Sequence, residues 1–278
     1  MPIVEVKGLT YSYPDAPTPS ISEINFMAEQ GEFILVTGPS GCGKTTFCRC
    51  LNGLIPNSYG GTFSGTVMVD GSPTTKSPVF ELAQRVGLVF QNPENELFCT
   101  SVEREVAFGL ENLAVPRDEL RSRVEEALSL VGILHLGDKS PEELSGGEQQ
   151  KVAVAALLAM KPKVLVLDEP TANLDPLSAS SVMDVLTKIN KESGVTVILV
   201  EHRLEMAAPH ANRCVIFNEG KIVQDTNPSE ALYSDAMESL GIGIPKVVQV
   251  AKKLPWGEPV RKPLSSGGLE DAVRGCCK

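Results

Sequence analysis

Hydrophobic and polar positions along the chain fall into three regimes. Over the first thirty residues they alternate: Val4, Val6 and Leu9, then Tyr11 and Tyr13, then Ile21, Ile24 and Phe26, with breaks at Pro14 and from Pro17 to Pro19. Period-two alternation between turn residues predicts antiparallel strands, and Gly65 to Gly71 reads as another. Elsewhere short, unbroken apolar runs stand at 33–37, 86–90, 164–167 and 195–200. Runs of that kind predict strands covered on both faces, as in a parallel sheet wrapped by helices. In the third regime, Val102, Val106, Leu110 and Leu113 share a helical face behind Thr100-Ser-Val-Glu103, which reads as a capping box. Pro116 separates this helix from a second, with Leu120, Val124, Leu128 and Val131 on one side and Gly132 at its end.

The expectation is an α/β fold: a mostly parallel sheet, an N-terminal antiparallel β subdomain and an inserted helical subdomain at about 92–160, all within a domain of residues 1–240. Beyond 240 the pattern weakens. Pro245, Pro255, Pro259, Pro263 and Ser265-Ser-Gly-Gly268 predict a partly irregular tail over 241–278. That tail is locally basic through Lys246, Lys252, Lys253, Arg261 and Lys262, as a solvated tail would be, or one that assists dimerisation or meets lipid headgroups.

Composition narrows the function. The 278 residues are 42% hydrophobic, enough for one large domain with an appendage. No run approaches the ~20 apolar residues that cross a bilayer, and the N-terminus lacks the form of a signal peptide, so any work at a membrane is expected to go through partners. A net charge of −10 disfavours a nucleic-acid-binding surface. Seven cysteines without a C-x-x-C pair suggest neither a disulfide framework nor a zinc site, and fit a reducing cytosol.

The chemistry begins at Gly38-Pro-Ser-Gly-Cys-Gly-Lys-Thr45, between the run at 33–37 and a helical pattern. This is a complete phosphate loop, in which Gly38, Ser40, Gly41, Cys42 and Gly43 turn backbone N–H groups toward phosphate and the next helix adds its positive end. Lys44 is expected on the β- and γ-phosphates of a nucleoside triphosphate, Thr45 on Mg²⁺, and Thr46 in the same nucleotide-binding set. Cys42, at a helix start, is expected to have a lowered thiol pKa. Val164-Leu-Val-Leu-Asp168-Glu169-Pro170 then ends a strand in two acids at the edge of the sheet where ligands bind. Asp168 is expected to hold Mg²⁺ and Glu169 to polarise the attacking water.

Leu144-Ser-Gly-Gly-Glu148-Gln-Gln, with Gln91 after one strand, Asn173-Leu-Asp175 after the acids and His202 after another strand, closely resembles an ABC-type ATPase subunit over residues 3 to 230. The resemblance implies a P-loop NTPase fold of ABC type and a head-to-tail dimer, formed by identical or by similar subunits. In it each ATP lies between one phosphate loop and the Ser145-Gly146-Gly147 segment of the other subunit. It also implies that Gln91 senses Mg²⁺ and water, that Asp175 crosses the dimer interface, and that His202 contacts the γ-phosphate and orients Glu169. Tyr13, rather than Tyr11, matches the aromatic that stacks on adenine. Glu148 and Lys151 stand where glutamine and arginine are common. Ser145 and Glu148 also form an S-x-x-E capping box, and His135 and His210, which match no motif, read as surface or helix-end residues.

Gln91-Asn-Pro-Glu-Asn-Glu-Leu-Phe98 and Thr100 to Asn112 are similar to the coupling segment in ATPases of energy-coupling-factor (ECF) importers of vitamins and metal ions, although Glu96 stands where glutamine is usual. That resemblance implies a transmembrane coupling subunit, a separate membrane protein that binds the substrate, and a peripheral location on the cytoplasmic face of the membrane. A conventional ABC importer or exporter ATPase shares every catalytic motif and differs at the coupling segment. A soluble ABC ATPase acting on DNA usually carries a long coiled-coil insertion, which is not seen here.

Overall fold

The computed structural model describes residues 2–92, 96–254 and 262–276. The alternating N-terminal segments form β1 (Val4–Ser12) and β2 (Ile21–Ala28), joined by β4 (Thr62–Val69) and the short β5 (Ser72–Pro73). These make an antiparallel sheet of order β2-β1-β4-β5. The apolar runs become β3 (Phe33–Thr37), β6 (Val86–Val89), β7 (Val164–Asp168) and β8 (Thr196–Val200). With β9 (Arg213–Asn218) and β10 (Lys221–Thr226) they form a second sheet of order β10-β9-β3-β8-β7-β6, parallel except for the β9–β10 hairpin.

Burial on both faces explains the unbroken runs. In β3, Ile34 and Val36 face a core shared with the antiparallel sheet and α1 (Lys44–Leu51), while Phe33 and Leu35 face a second core built by helices. Strands β7 and β8 divide in the same way, with Val166 and Ile198 on one side and Leu165 and Val197 on the other. The short α2 (Leu54–Asn57) and α3 (Val79–Leu82) connect strands around the first core.

Between β6 and β7 lie α4 (Val102–Asn112), α5 (Arg117–Leu130) and α6 (Gly146–Ala159), packed on one another through Val106, Leu110, Val124, Leu128 and Val152. Helix α4 starts one residue later than expected. Its cap is Ser101, which accepts the Arg104 N–H at 3.4 Å, and not Thr100. The first turn is closed instead from a distance, because Val102 and Glu103 N–H donate to Lys139 and Gly137 carbonyls at 2.9 Å.

Beyond β7 come α7 (Pro176–Ser193), α8 (Leu204–Ala207), α9 (Pro228–Tyr233) and α10 (Asp235–Ser239). The described residues of the tail include two helices, α11 (Lys246–Lys253) and α12 (Ser266–Cys276), with Val248 and Ala251 fully buried and the Tyr233 hydroxyl donating to the Pro263 carbonyl at 3.0 Å. Pro255, Pro259 and Arg261 lie outside the described residues, as does the stretch 93–95 of the expected coupling segment. Among the described residues, no helix is long and apolar enough to cross a membrane.

Candidate active site

Strand β3 delivers the chain into the phosphate loop at its carboxyl end, and two glycines there are sterically required. Gly38 has φ 150°, and a Cβ on it would sit 2.2 Å from the Phe217 carbonyl oxygen. Gly43, at φ 104°, would bring a Cβ within 2.6 Å of the Ser20 carbonyl oxygen. Gly43 is also the N-cap of α1 and offers no side chain, so the first amides of that helix stay available to an anion. Lys44 is 4% exposed, with Nζ donating to the Gly38 and Pro39 carbonyls at 2.9 Å each.

These elements border a cleft of about 900 Å³. Tyr13, Ser40, Gly41, Gly43, Lys44, Thr45, Thr46 and Glu169 line it, together with residues the sequence did not single out, among them Ser20, Glu219 and Gly220. Tyr13 is the aromatic at this cleft. Its hydroxyl accepts from Arg49 Nη1 at 3.1 Å and lies 3.3 Å from Thr46 Oγ1. Tyr11 is fully buried behind it, donating to the Gly60 carbonyl at 2.5 Å, which separates the two candidates.

Strand β7 brings Asp168 and Glu169 to the same edge. Burial raises the Asp168 carboxyl above its ordinary range, and the neighbouring Thr45 hydroxyl opposes that rise. Asp168 Oδ1 is buried without a hydrogen-bond partner among the described residues. An orphaned carboxylate oxygen beside a hydroxyl is a donor set that fits a hard divalent cation such as Mg²⁺.

Glu169 adopts φ 53° and its N–H donates to the Val200 carbonyl at 3.0 Å, which fixes the acid against β8. Gln91 Nε2 donates to Glu169 Oε2 at 3.4 Å, and His202 Nε2 lies 3.1 Å from Glu169 Oε1. Three residues that stand far apart in sequence therefore meet at one carboxylate.

The Ser145-Gly146-Gly147 segment opens α6. Ser145 caps α6 in a reciprocal box with Glu148, whose Oε2 accepts the Ser145 N–H at 2.8 Å and the Ser145 hydroxyl at 2.7 Å. The bonds from Ser145 hold the Glu148 carboxyl below its usual value. Lys151 Nζ donates to Ser181 Oγ at 2.8 Å. Ser145 and Gly147 line a second cleft, of about 280 Å³, with Leu177 and Ser178 of α7. The Cβ that Gly147 lacks would meet Ser178 Cβ at 2.8 Å, so close approach of α6 and α7 requires this glycine. Asp175 caps α7, accepting the Leu177 and Ser178 N–H groups at 2.9 and 3.1 Å. Each cleft has its own lining, the phosphate loop on the first and Ser145 and Gly147 on the second.

One sequence expectation is corrected here. Cys42 is 5% exposed and burial pushes its thiol up, outweighing the nearby Lys44 ammonium, so the helix start does not produce an acidic thiol. His210 is half-buried, with Nδ1 2.8 Å from Thr187 Oγ1, and desolvation lowers its pKa.

Glu96 closes the loop leaving β6, its Oε1 accepting the Phe90 N–H at 2.9 Å. Burial pushes this carboxyl from 4.5 up to about 7. Between those values the unfolded chain has released the proton and the folded chain has not, so stability falls as pH rises through the window. Glu96→Gln keeps an acceptor for Phe90 and removes the buried charge. In thermal melts its Tm is expected to exceed that of the unsubstituted protein at about pH 8 and to match it at about pH 4. A difference that does not change with pH would contradict the buried-charge explanation.

Residues 21–172 match the family described as ABC transporter. A putative ABC transporter ATP-binding protein of Pyrococcus abyssi is 46% identical over 91% of this chain and 91% of the relative. An energy-coupling factor transporter ATP-binding protein, EcfA1, of Lacticaseibacillus paracasei is 37% identical over 96% of this chain and 91% of the relative. Other relatives are longer, and the chain spans 40% of one from Methanosarcina acetivorans. Among solved structures, cbiO1 from Clostridium perfringens, described as part of the ABC transporter complex cbiONQ, superposes with a TM-score of 0.77 at 35% identity, covering 91% of this chain and 96% of that one. With the phosphate loop, the paired acids and the capped signature helix in place, the chain belongs to the ABC transporter family as an ATP-binding, ATP-hydrolysing subunit.

Proposed function

We propose that this chain powers an ECF-type importer of a vitamin or metal ion, at the cytoplasmic face of the membrane, as a peripheral ATPase paired with an identical or similar subunit. The observation that carries the ECF reading is the surface after Gln91. Phe98 and Phe108 are 66% and 42% exposed and stack edge to face with centroids 4.8 Å apart. Their segment is clamped to α4 by the buried Glu105, whose Oε2 accepts the Phe98 and Cys99 N–H groups at 2.9 and 2.7 Å. A rigid, exposed aromatic pair is the kind of anchor that receives a partner's helix. The likeness to EcfA1 and to cbiO1 supports the same reading.

In this reading Tyr13 stacks on adenine, while Gly38, Ser40, Gly41, Cys42, Gly43 and Thr46 build the phosphate cradle. Lys44 bonds the β- and γ-phosphates, and Thr45, Asp168 and Gln91 hold Mg²⁺, which when bound offsets phosphate charge. Glu169 takes the proton of the attacking water, and His202 orients Glu169 and contacts the γ-phosphate. The partner copy supplies the Ser145–Gly147 helix start to the γ-phosphate, and Asp175 crosses the interface. Closure of the dimer then moves the Phe98–Phe108 surface and with it a transmembrane coupling subunit, while a separate membrane protein binds the substrate.

The test is affinity purification of the tagged chain from detergent-solubilised native membranes, with and without Phe98→Ala and Phe108→Ala. One transmembrane subunit plus a small substrate-binding membrane protein, both lost from the double variant, is expected. Recovery of a conventional permease pair, or of no membrane protein, would reject the ECF assignment and leave the ATPase intact.

A further inference from the structure

Two residues beside His202 fasten it to the segment that follows the catalytic acids. Glu201, 2% exposed at the end of β8, gathers four donors on one carboxylate. Its Oε1 accepts from the Thr171 N–H and hydroxyl at 3.1 and 2.5 Å, and its Oε2 from the N–H groups of His202 and Arg203 at 3.0 and 3.3 Å. Arg203 grips the same segment a second time, Nη1 donating to the Leu174 carbonyl at 2.9 Å and Nη2 to the Ala172 carbonyl at 3.4 Å. The segment runs on into Asp175, the cap of α7. On its other side Asn173 Nδ2 donates to Asn92 Oδ1 at 2.8 Å, next to Gln91.

We infer that Glu201 and Arg203 are positioning residues that couple the Thr171–Asp175 segment to His202, so that a shift of that segment at the subunit interface moves the imidazole on Glu169. The argument is one of shared bonds. Charge-assisted bonds from both segments end on one buried carboxylate, and moving either segment alone would leave its oxygens unmatched. The planar guanidinium spans two carbonyls two residues apart, a reach that a lysine ammonium does not reproduce. The inference rests on the proposed roles of Glu169, His202 and Asp175. Its sequence trace is an acid, a histidine and an arginine in a row directly after an apolar strand.

The experiment compares Arg203→Ala, Arg203→Lys and His202→Ala, and the double variant of Arg203→Ala with His202→Ala, in the full chain, reading Tm, kcat and KM for ATP. Arg203→Ala is expected to keep KM within about threefold and to lower kcat on the order of 10–100-fold, the scale of a small misplacement of a catalytic group. Arg203→Lys is expected to recover part of that loss. The double variant is expected to be no slower than His202→Ala, because both changes remove one effect. Additive losses, a KM that rises in step with the fall in kcat, or an unchanged kcat would each overturn the coupling. Should Arg203→Ala fail to fold, Arg203→Lys carries the same kcat-against-KM test. If His202→Ala keeps full turnover, the proposed role of His202 fails and this inference with it. If His202→Ala is slow and Arg203→Ala is not, the inference alone fails.

Discussion

Glu169→Gln is expected to bind ATP and to hydrolyse it about 10²–10⁴-fold more slowly, the usual contribution of a positioned general base. In barrier terms that is about 3–5 kcal/mol. The substitution is close to isosteric, so the backbone at φ 53°, held by the Val200 carbonyl, has no new reason to move. An amide oxygen can still accept from Gln91 Nε2, which leaves the amide NH₂ turned toward His202 Nε2. What is lost is the proton acceptor. Nucleotide affinity, which the proposed reading assigns to the phosphate loop and Tyr13, is expected to stay within a few-fold of that of the unsubstituted protein. Steady-state ATPase rates with a parallel nucleotide titration decide the matter: turnover near the unsubstituted rate would falsify the assignment of Glu169 as base, and a matching fall in affinity would make it a binding residue.

The parts of this site that could be read in the sequence are those written in local geometry. The phosphate loop needs Gly38 and Gly43 at backbone angles and clearances that side chains do not permit, so its spacing is visible in the residues themselves. The buried strands were equally plain, because two covered faces leave no polar alternation in β3, β7 or β8. Contacts made across the fold left weaker traces. Thr100 and Ser101 are both competent caps, and the choice of Ser101 comes with carbonyls of Gly137 and Lys139 that meet the next two amides. Pro245 reads as a breaker but serves as the N-cap of α11, where a missing N–H costs nothing. Cys42 has the right local position for an acidic thiol, and only its burial reverses the direction. The four donors on Glu201 emerge only when β8 and the segment after β7 lie side by side.

Lys44→Ala is expected to reduce ATP turnover by about 10³-fold or more and to weaken ATP binding by about 30-fold, since it removes the buried cation proposed to bond the β- and γ-phosphates. Within the structure the ammonium rests on the Gly38 and Pro39 carbonyls at 2.9 Å, so it is held at the loop before phosphate reaches it. A unit charge about 3 Å from a phosphate oxygen, at an effective dielectric near 20, gives a gross attraction of about 5 kcal/mol. Breaking the two carbonyl bonds consumes part of that, which is why the binding effect is expected to be smaller than the kinetic one. Charge on the γ-phosphate is redistributed during transfer, when no other side chain of this loop can supply a cation. Arginine is not expected to substitute, because the Lys44 slot is 4% exposed and a guanidinium is wider than an ammonium. Thermal melts with ATP separate binding from folding. At a hundredfold excess over Kd the unsubstituted protein gains about 2.7 kcal/mol, and a variant binding 30-fold more weakly keeps about 0.9 kcal/mol at the same ATP concentration. Equal ATP-induced stabilisation of the two proteins would take Lys44 off the phosphates.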